Sequence, residues 1–276
     1  MKRLRILMLG DIIGRPGRRA CRDRVHVWRK ELELDAVMAN GENASGGNGL
    51  TVKNAGDLFD AGLDLITSGN HIWQQKDFAE LFEKFPRVIR PANYPPEVPG
   101  SGWGLIDLGG GTKVAVLNLQ GQVFMDPIDS PFKAAERDLA VLKGITPLII
   151  VDFHAEATSE RVAMGIFLEG RVSAVLGTHT HVPTADDRIL PGGTAYQTDV
   201  GMVGPIGGVI GVESEAILQK FTTGLPSRFE VAKGPVICNG TVLTIDSVTG
   251  KALEIERFQE MYDPSEEVSR DEGNDK

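Results

Sequence analysis

Short apolar runs alternate with amphipathic stretches along most of the chain, and most of the runs stop at Gly, Asn, Asp or His. The run Leu4–Leu9 predicts a buried strand, and the stretch from about Gly17 to Leu32 predicts a helix. Ala36–Ala39 is the next predicted strand, followed by a loop rich in Gly and Asn and a helix beginning near Thr51. Leu63–Thr67 reads as a third strand and Asp77–Phe85 as a third helix. Val88 to Gly111 reads as irregular, with four prolines in 91-PANYPPEVPGSGWG-104. Strands then follow at Lys113–Leu119, Leu148–Val151 and Ala174–Leu176, with helices around Phe132–Leu142 and Ser159–Leu168. In the last third, Ala195–Thr198, Val236–Ile245 and Ala252–Phe258 read as antiparallel strands, with one helix near Glu213–Phe221.

Strands that alternate with helices predict βαβ units and a largely parallel sheet. The hairpin-like C-terminal strands predict a second sheet packed on the first. There is no internal repeat and no linker long enough to separate domains. The expected organisation is therefore one α/β domain over 1–263, with an irregular insertion near 86–104 and a disordered acidic tail over 264–276.

The unusual polar residues fall at the ends of the predicted strands. Asp11 follows the first, in LGDIIGRPG; Glu42 and Asn43 follow the second, in ANGENASGGNG; Asn70 and His71 follow the third, in TSGNHIW. His154 follows LIIVDF, and His179 and His181 follow AVLG in GTHTHVP. Ligands of open α/β sheets gather outside the carboxyl ends of the strands. Four of the five histidines belong to this set, and only His26 lies outside it. On an extended segment, alternate residues face the same way, so His179 and His181 are expected to enter one site together.

Asp, Glu, Asn and neutral imidazole suit a hard or borderline divalent metal without thiolate. Seven candidates, Asp11, Glu42, Asn43, Asn70, His154, His179 and His181, exceed what one ion requires and fit two ions sharing a carboxylate.

Charge and composition narrow the picture further. With 29 basic and 38 acidic residues the net charge is −9, which argues against stable nucleic-acid binding through a broad basic surface. The basic N-terminus carries only a short, broken apolar run and no small-residue cleavage pattern, so no signal peptide is expected. No stretch approaches 18 apolar residues, and two cysteines make no disulfide framework. The expectation is a soluble, cytoplasmic protein.

The ordered set D…GEN…GNH…H…GTHTH resembles the calcineurin-like binuclear metallophosphoesterases. It is most similar to their bacterial YmdB branch, which shares GDIxGxxGR, GENxxxGxG, GNHxW and GTHTHVxTAD. The resemblance runs from Arg5 to about Phe258. It implies an α/β/β/α sandwich with mixed sheets flanked by helices. It also implies two metal ions, Fe or Mn first and Zn or Mg as the alternatives. One ion would lie on Asp11, Glu42, Asn43 and His181, and the other on Glu42, Asn70, His154 and His179, with Glu42 bridging. The implied activity is a phosphodiesterase, acting on 2′,3′- or 3′,5′-cyclic nucleotides through a metal-bridging hydroxide, with His71 as general acid.

Three positions depart from the wider family: Ile13 stands where a His ligand is common, Glu42 replaces Asp, and Ile72 replaces an acid after GNH. The last leaves His71 without an acidic neighbour in its own segment. Two other functions stay open at this point, a phosphomonoesterase and a regulatory protein that binds metal and nucleotide with little turnover.

The remaining features carry plainer readings. Gly46, Gly47 and Asn48 suit turns, and Trp73 and Trp103 suit packing. Asp199 is either a partner of a ligand histidine or a turn residue. Arg15, Arg18 and Arg19 read by default as a solvated helix start, with a phosphate contact as the alternative, and His26 receives no role. The irregular loops at 86–104 and 120–131 leave a subunit interface, hence a homo-oligomer, and a lid as equal alternatives.

Overall fold

The computed structural model describes residues 3–265. The expected tail therefore lies outside the described residues, apart from Pro264 and Ser265. The apolar run at the N-terminus forms β1 (Arg3–Ile12), which is buried on both faces after its first residues. Its even positions Leu4, Ile6 and Met8 point one way, into a core that they share with Val114, Val116, Ile150 and Leu176 of a second sheet. Its odd positions Leu7 and Leu9 point the other way, against Ala20, Cys21, Val25 and Trp28 of α1 (Gly14–Glu31). The two-residue period of a strand thus divides one sequence between two cores.

In the first sheet β2 (Ala36–Asn40) and β3 (Leu65–Thr67) run parallel to β1. On the other side of β1 lie β10 (Met202–Pro205), β11 (Val236–Asp246) and β12 (Ala252–Tyr262), giving the order β12-β11-β10-β1-β2-β3. Helices α1, α2 (Val52–Asp60) and α3 (Phe78–Lys84) cover the outer face of this sheet.

The centre of the second sheet is the parallel set β5 (Lys113–Gln120), β6 (Ile149–His154), β7 (Ala174–Thr178) and β9 (Ala195–Gln197). With β4 (Trp103–Asp107) and β8 (Arg188–Ile189) at its edges, the order is β4-β5-β6-β7-β9-β8. Its outer face packs on α4 (Pro131–Leu142) and α5 (Thr158–Leu168) through Leu117, Leu119, Ala135, Leu139, Phe153 and Met164. The architecture is an α/β/β/α sandwich of two mixed sheets.

Four details differ from the expectations of the sequence. Helix α1 begins at Gly14 and not near Gly17, because Pro16 falls in the first turn, where its missing N–H has no intrahelical partner to lose. The stretch expected to be irregular contains β4, an edge strand antiparallel to β5 in which only Ile106 is fully buried. Residues 195–197 run parallel to β7 and pair antiparallel only with the two-residue β8.

The fourth difference concerns the C-terminal hairpin of β11 and β12. It forms no sheet of its own. Residues Gly240–Asp246 of β11 pair along Arg3–Leu9 of β1, and β10 takes over beside Asp11 and Ile12. A hairpin's alternation reveals that two strands pair, but not which third strand they join.

The strand ends that matter lie together because β1, β2 and β3 of one sheet and β6 and β7 of the other finish at one edge. At that edge the β1–β2 register slips between Leu9 and Asp11, so Gly10 bulges. A Cβ on Gly10 would stand 1.9 Å from the carbonyl oxygen of Gly201, so only glycine fits there. The bulge re-aims Asp11 toward the gap between the sheets.

Candidate binuclear metal centre

Each predicted donor occupies this edge, and the distances between them are short. Glu42, 1% exposed, sets its Oε1 3.1 Å from His154 Nε2 and accepts from Asn43 Nδ2 at 3.3 Å. Its Oε2 accepts the backbone N–H of His71 at 2.9 Å. His154 Nε2 also lies 3.1 Å from Asn70 Oδ1 and 3.0 Å from His179 Nδ1. On the other side, His181 Nε2 lies 3.2 Å from Asn43 Nδ2 and 4.0 Å from Asp11 Oδ1. Asp11 Oδ2 accepts from the backbone of His179 at 3.1 Å.

The surroundings fix the ligand rings. His154 Nδ1 faces Thr178 Oγ1 at 2.9 Å, and that hydroxyl donates to Asp152 Oδ1 at 2.7 Å. Asn40 donates to Asp152 Oδ2 and accepts from Glu42 N, so it ties both sheets to the site. Such partners hold a metal-binding imidazole in one tautomer and orientation. Sequence reasoning misses them, although Asp152 sits two residues before His154 in an otherwise apolar strand. It also misses Glu156, which places a carboxylate 3.1 Å from His179 Nε2.

His179 and His181 do reach the same site, but not as alternate residues of an extended strand. Strand β7 stops at Thr178, and both histidines take left-handed backbone conformations, with φ of 106° and 67°. Few residues other than glycine adopt them. Two anchors hold the bend: Asp11 on His179 N, and Asp199, which accepts from Thr180 N at 3.0 Å and Thr180 Oγ1 at 2.8 Å. Asp199 therefore contacts the residue between the histidines and neither imidazole. It is paired at 2.6 Å with Arg161, 2% exposed, whose guanidinium also donates to the carbonyls of Ala155, Thr178 and Thr198.

Arg161→Met leaves Asp199 buried and unpaired. It is expected to cost about 3–5 kcal/mol of stability, measured by denaturant unfolding. Arg161→Met/Asp199→Asn is expected to recover part of it. A loss below about 1 kcal/mol in the single variant would remove this pair as the clamp of the bend.

His71 is the most open of the group, with its side chain 37% exposed. Its Nδ1 lies 2.8 Å from Asn43 Oδ1 and 3.5 Å from Glu42 Oε1. The partner missing from its own segment is thus supplied by the loop after β2. Trp73 packs among Phe78, Phe82 and Tyr94.

The residues fit cations. Asp11 Oδ1 is buried with no hydrogen-bond partner, and burial pushes the Asp11 carboxyl up, with His181 and His154 opposing. Three donors crowd His154 Nε2, which has a single hydrogen or lone pair to share. Burial works against a charge on His154, yet Glu42 and then Asp11 outweigh it and push the imidazole up to about 9. Burial also works to raise Glu42, but His154 and His71 hold its carboxyl well below the usual range. Burial, aided by the charge on His154, pulls His179 down to about 3, in keeping with a neutral imidazole ligand. Ligand atoms of Glu42, His154 and His179 all lie within 4.8 Å of one another.

A family model described as YmdB-like protein matches residues 7–258. The chain belongs to the YmdB-like family. It is 47% identical over 255 residues, 92% of this chain and 96% of the relative, to the 2′,3′-cyclic-nucleotide 2′-phosphodiesterase of Bacillus subtilis. Among solved structures, a hypothetical protein from Thermus thermophilus superposes with a TM-score of 0.89 and 42% identity, covering 95% of this chain and 100% of that one. A novel phosphatase from Mycoplasma pneumoniae gives 0.89 at 35% identity, covering 98% and 97%. The calcineurin-like phosphoesterase YfkN of Bacillus subtilis, at 10% identity and a TM-score of 0.52 over 95% and 90%, shares the fold alone. The YmdB-like family therefore carries the calcineurin-like phosphoesterase fold.

Proposed function

We propose that this chain is a metal-dependent phosphodiesterase of cyclic nucleotides, with residues 1–263 forming its single domain. The observation that supports this most is the convergence of seven oxygen and nitrogen donors from two sheets beside the half-open imidazole of His71. Asp11, Glu42, Asn43 and His181 would hold one ion, and Glu42, Asn70, His154 and His179 the other. When bound, the ions supply Lewis acidity, withdrawing charge from phosphoryl oxygens and acidifying water. Asn43 would coordinate through Oδ1, whose second lone pair still accepts the hydrogen bond from His71 Nδ1. Iron or manganese is the proposed metal, because the donors are oxygen and imidazole while both thiols, Cys21 and Cys238, are buried in the helix-side core. Two free thiols in a chain of this size also suit a reducing cytoplasm.

His71 does the proton chemistry in this reading. Donation from Nδ1 orients the ring, and Nε2 of the imidazolium gives its proton to the leaving alkoxide. A cyclic diester carries one negative charge and a monoester about two. Among the described residues no Arg or Lys side chain hydrogen-bonds to any of the seven donors. That favours the diester.

The test strips the metal, restores Mn or Fe, and compares 2′,3′-cyclic AMP, 3′,5′-cyclic AMP and a matched monoester. Metal-restored turnover of a cyclic diester, with the monoester at least about tenfold slower, is the expected result. Metal uptake without any turnover would replace this reading by a regulatory binding protein, and preference for the monoester by a phosphomonoesterase.

A further inference from the structure

The GRPGRR segment has no part in the chemistry above, yet it opens onto a cavity of about 660 Å³. The walls are the start of α1, the loop that follows Asn43, and the segment 228–233 that precedes β11. None of the seven donors, nor His71, lines it. We propose that this cavity is a second ligand site, which binds the phosphates of a nucleoside diphosphate between Arg15, Arg18, Arg228 and Lys233. The proposal goes beyond the phosphodiesterase reading and does not depend on it.

Four cationic side chains face one acid, Glu230, in a chain whose net charge is −9. That concentration of one sign is unusual here, and the cations are poorly compensated. Arg15 and Lys233 make no ion pair or side-chain hydrogen bond among the described residues. Arg228 meets Glu230 only at 4.0 Å, with side chains 90% and 70% exposed, a pair that water screens heavily. Arg18 is half-buried and donates to the carbonyl of Ala44, so it is fixed in place with its charge toward the cavity wall. Burial pulls its guanidinium below the usual value; Asp57 opposes this and the like charge of Arg15 adds to it. A bound anion relieves both costs.

The backbone adds to the same field. Helix α1 is 18 residues long, has no acid in its first turn and no side-chain cap at Ile13. Gly14 N already donates to the carbonyl of Asn43 at 2.9 Å and Pro16 has no N–H, so the helix start adds a dipole field and, of its first three residues, at most the Arg15 N–H.

Size points to more than one phosphate. The volume lies in the range of small-molecule sites, about 300–1,000 Å³, and far exceeds a single phosphate. Ser45 is buried and its hydroxyl is taken up by Thr51 and by Asn54 Nδ2 at 2.7 Å, which leaves the carboxamide oxygen of Asn54 as the polar group suited to a ribose. Phe229, 43% exposed, brings an aromatic ring to the cavity on which a base can stack, with Lys220 Nζ 4.9 Å from its centroid as a further cation. An adjoining cavity of about 560 Å³ shares Arg15 and Arg18 and adds Arg19, Arg22 and His26. There Arg19 and Arg22 are paired with Asp23 at 3.6 and 2.7 Å and Asp57 and Asp60 share the wall, so its cations are compensated and it receives no such assignment.

The test titrates ADP and, separately, adenosine into the metal-loaded full chain. Three variants accompany it: Arg15→Ala/Arg228→Ala, Lys233→Ala and Asp11→Asn. Both cavity variants change exposed or unpaired side chains, so folding is spared. ADP is expected to bind and adenosine not to bind. The double variant is expected to weaken ADP at least about tenfold and Lys233→Ala to weaken it less, both with unchanged turnover of a chromogenic diester. Added salt should weaken ADP in parallel, and Asp11→Asn should bind it as the parent does. Equal affinity in the parent and the double variant would overturn the proposal. So would ADP binding that disappears in Asp11→Asn, which would place the nucleotide on the metals. Failure of the phosphodiesterase reading would show instead as absent diester turnover in the parent, whatever the ADP result.

Discussion

Gly69→Ala is expected to cost the centre its metal and to lower turnover at least about 100-fold, although the change adds one methyl group. A Cβ built at Gly69 stands 2.2 Å from His154 Cδ2, 2.3 Å from His154 Nε2 and 2.5 Å from Glu42 Oε2. The new atom would occupy the space in which the donors meet. Neither side can yield easily. On the Gly69 side, Ser68 N donates to Asn118 Oδ1 at 3.0 Å and Ser68 Oγ to the carbonyl of Ile89 at 2.8 Å. On the other, His154 is held by Thr178, and Glu42 by Asn40 and His71. Overpacking of this kind destabilises by about 1–3 kcal/mol, so the variant should still fold. Metal content by elemental analysis, turnover, and thermal unfolding measured together decide the matter. A folded variant with the parent's metal content and turnover would show that the donors do not meet at Gly69.

His71→Ala should do the opposite to the metals. Its imidazole meets the donors in two places, the 2.8 Å hydrogen bond to Asn43 Oδ1 and a 3.5 Å approach to Glu42 Oε1, and both donors keep other partners without it. Metal content is expected to stay near that of the parent while turnover of a cyclic nucleotide falls about 10²–10⁴-fold, the usual worth of a positioned acid. The loss should be much smaller for a nitrophenyl diester, whose leaving group departs as a stable anion without a proton. That difference between substrates is the decisive reading, because a structural role for His71 would slow both alike. The backbone N–H of residue 71 still bonds Glu42 in the variant, so the carboxylate keeps its anchor.

Much of this centre was legible in the sequence because its parts are local. A donor sits in the last two residues of a strand or within the three that follow it; that pattern recurs at β1, β2, β3, β6 and β7 and needs no tertiary information to be seen. The order of sheet strands was less legible, since an alternating hairpin such as β11–β12 looks the same wherever it docks. Strand β4 was hidden for a related reason: an edge strand with one fully buried residue has almost no apolar signal.

The sequence by itself determined the α/β class, the two-sided burial of the parallel strands and the chemical types gathered at their carboxyl ends, because these follow from residue periodicity and from what short side chains can ligate. Only the tertiary structure decided how those donors face one another. The bulge at Gly10 turns Asp11, the left-handed bends at His179 and His181 replace strand alternation, and Asn40, Asp152 and Arg161 hold the result from a distance in sequence. The cationic cavity belongs to the same category, since Arg15 and Lys233 lie 218 positions apart and share a wall only after β11 has docked on β1. Periodicity is a property of neighbours in the chain, whereas a site is a property of neighbours in space.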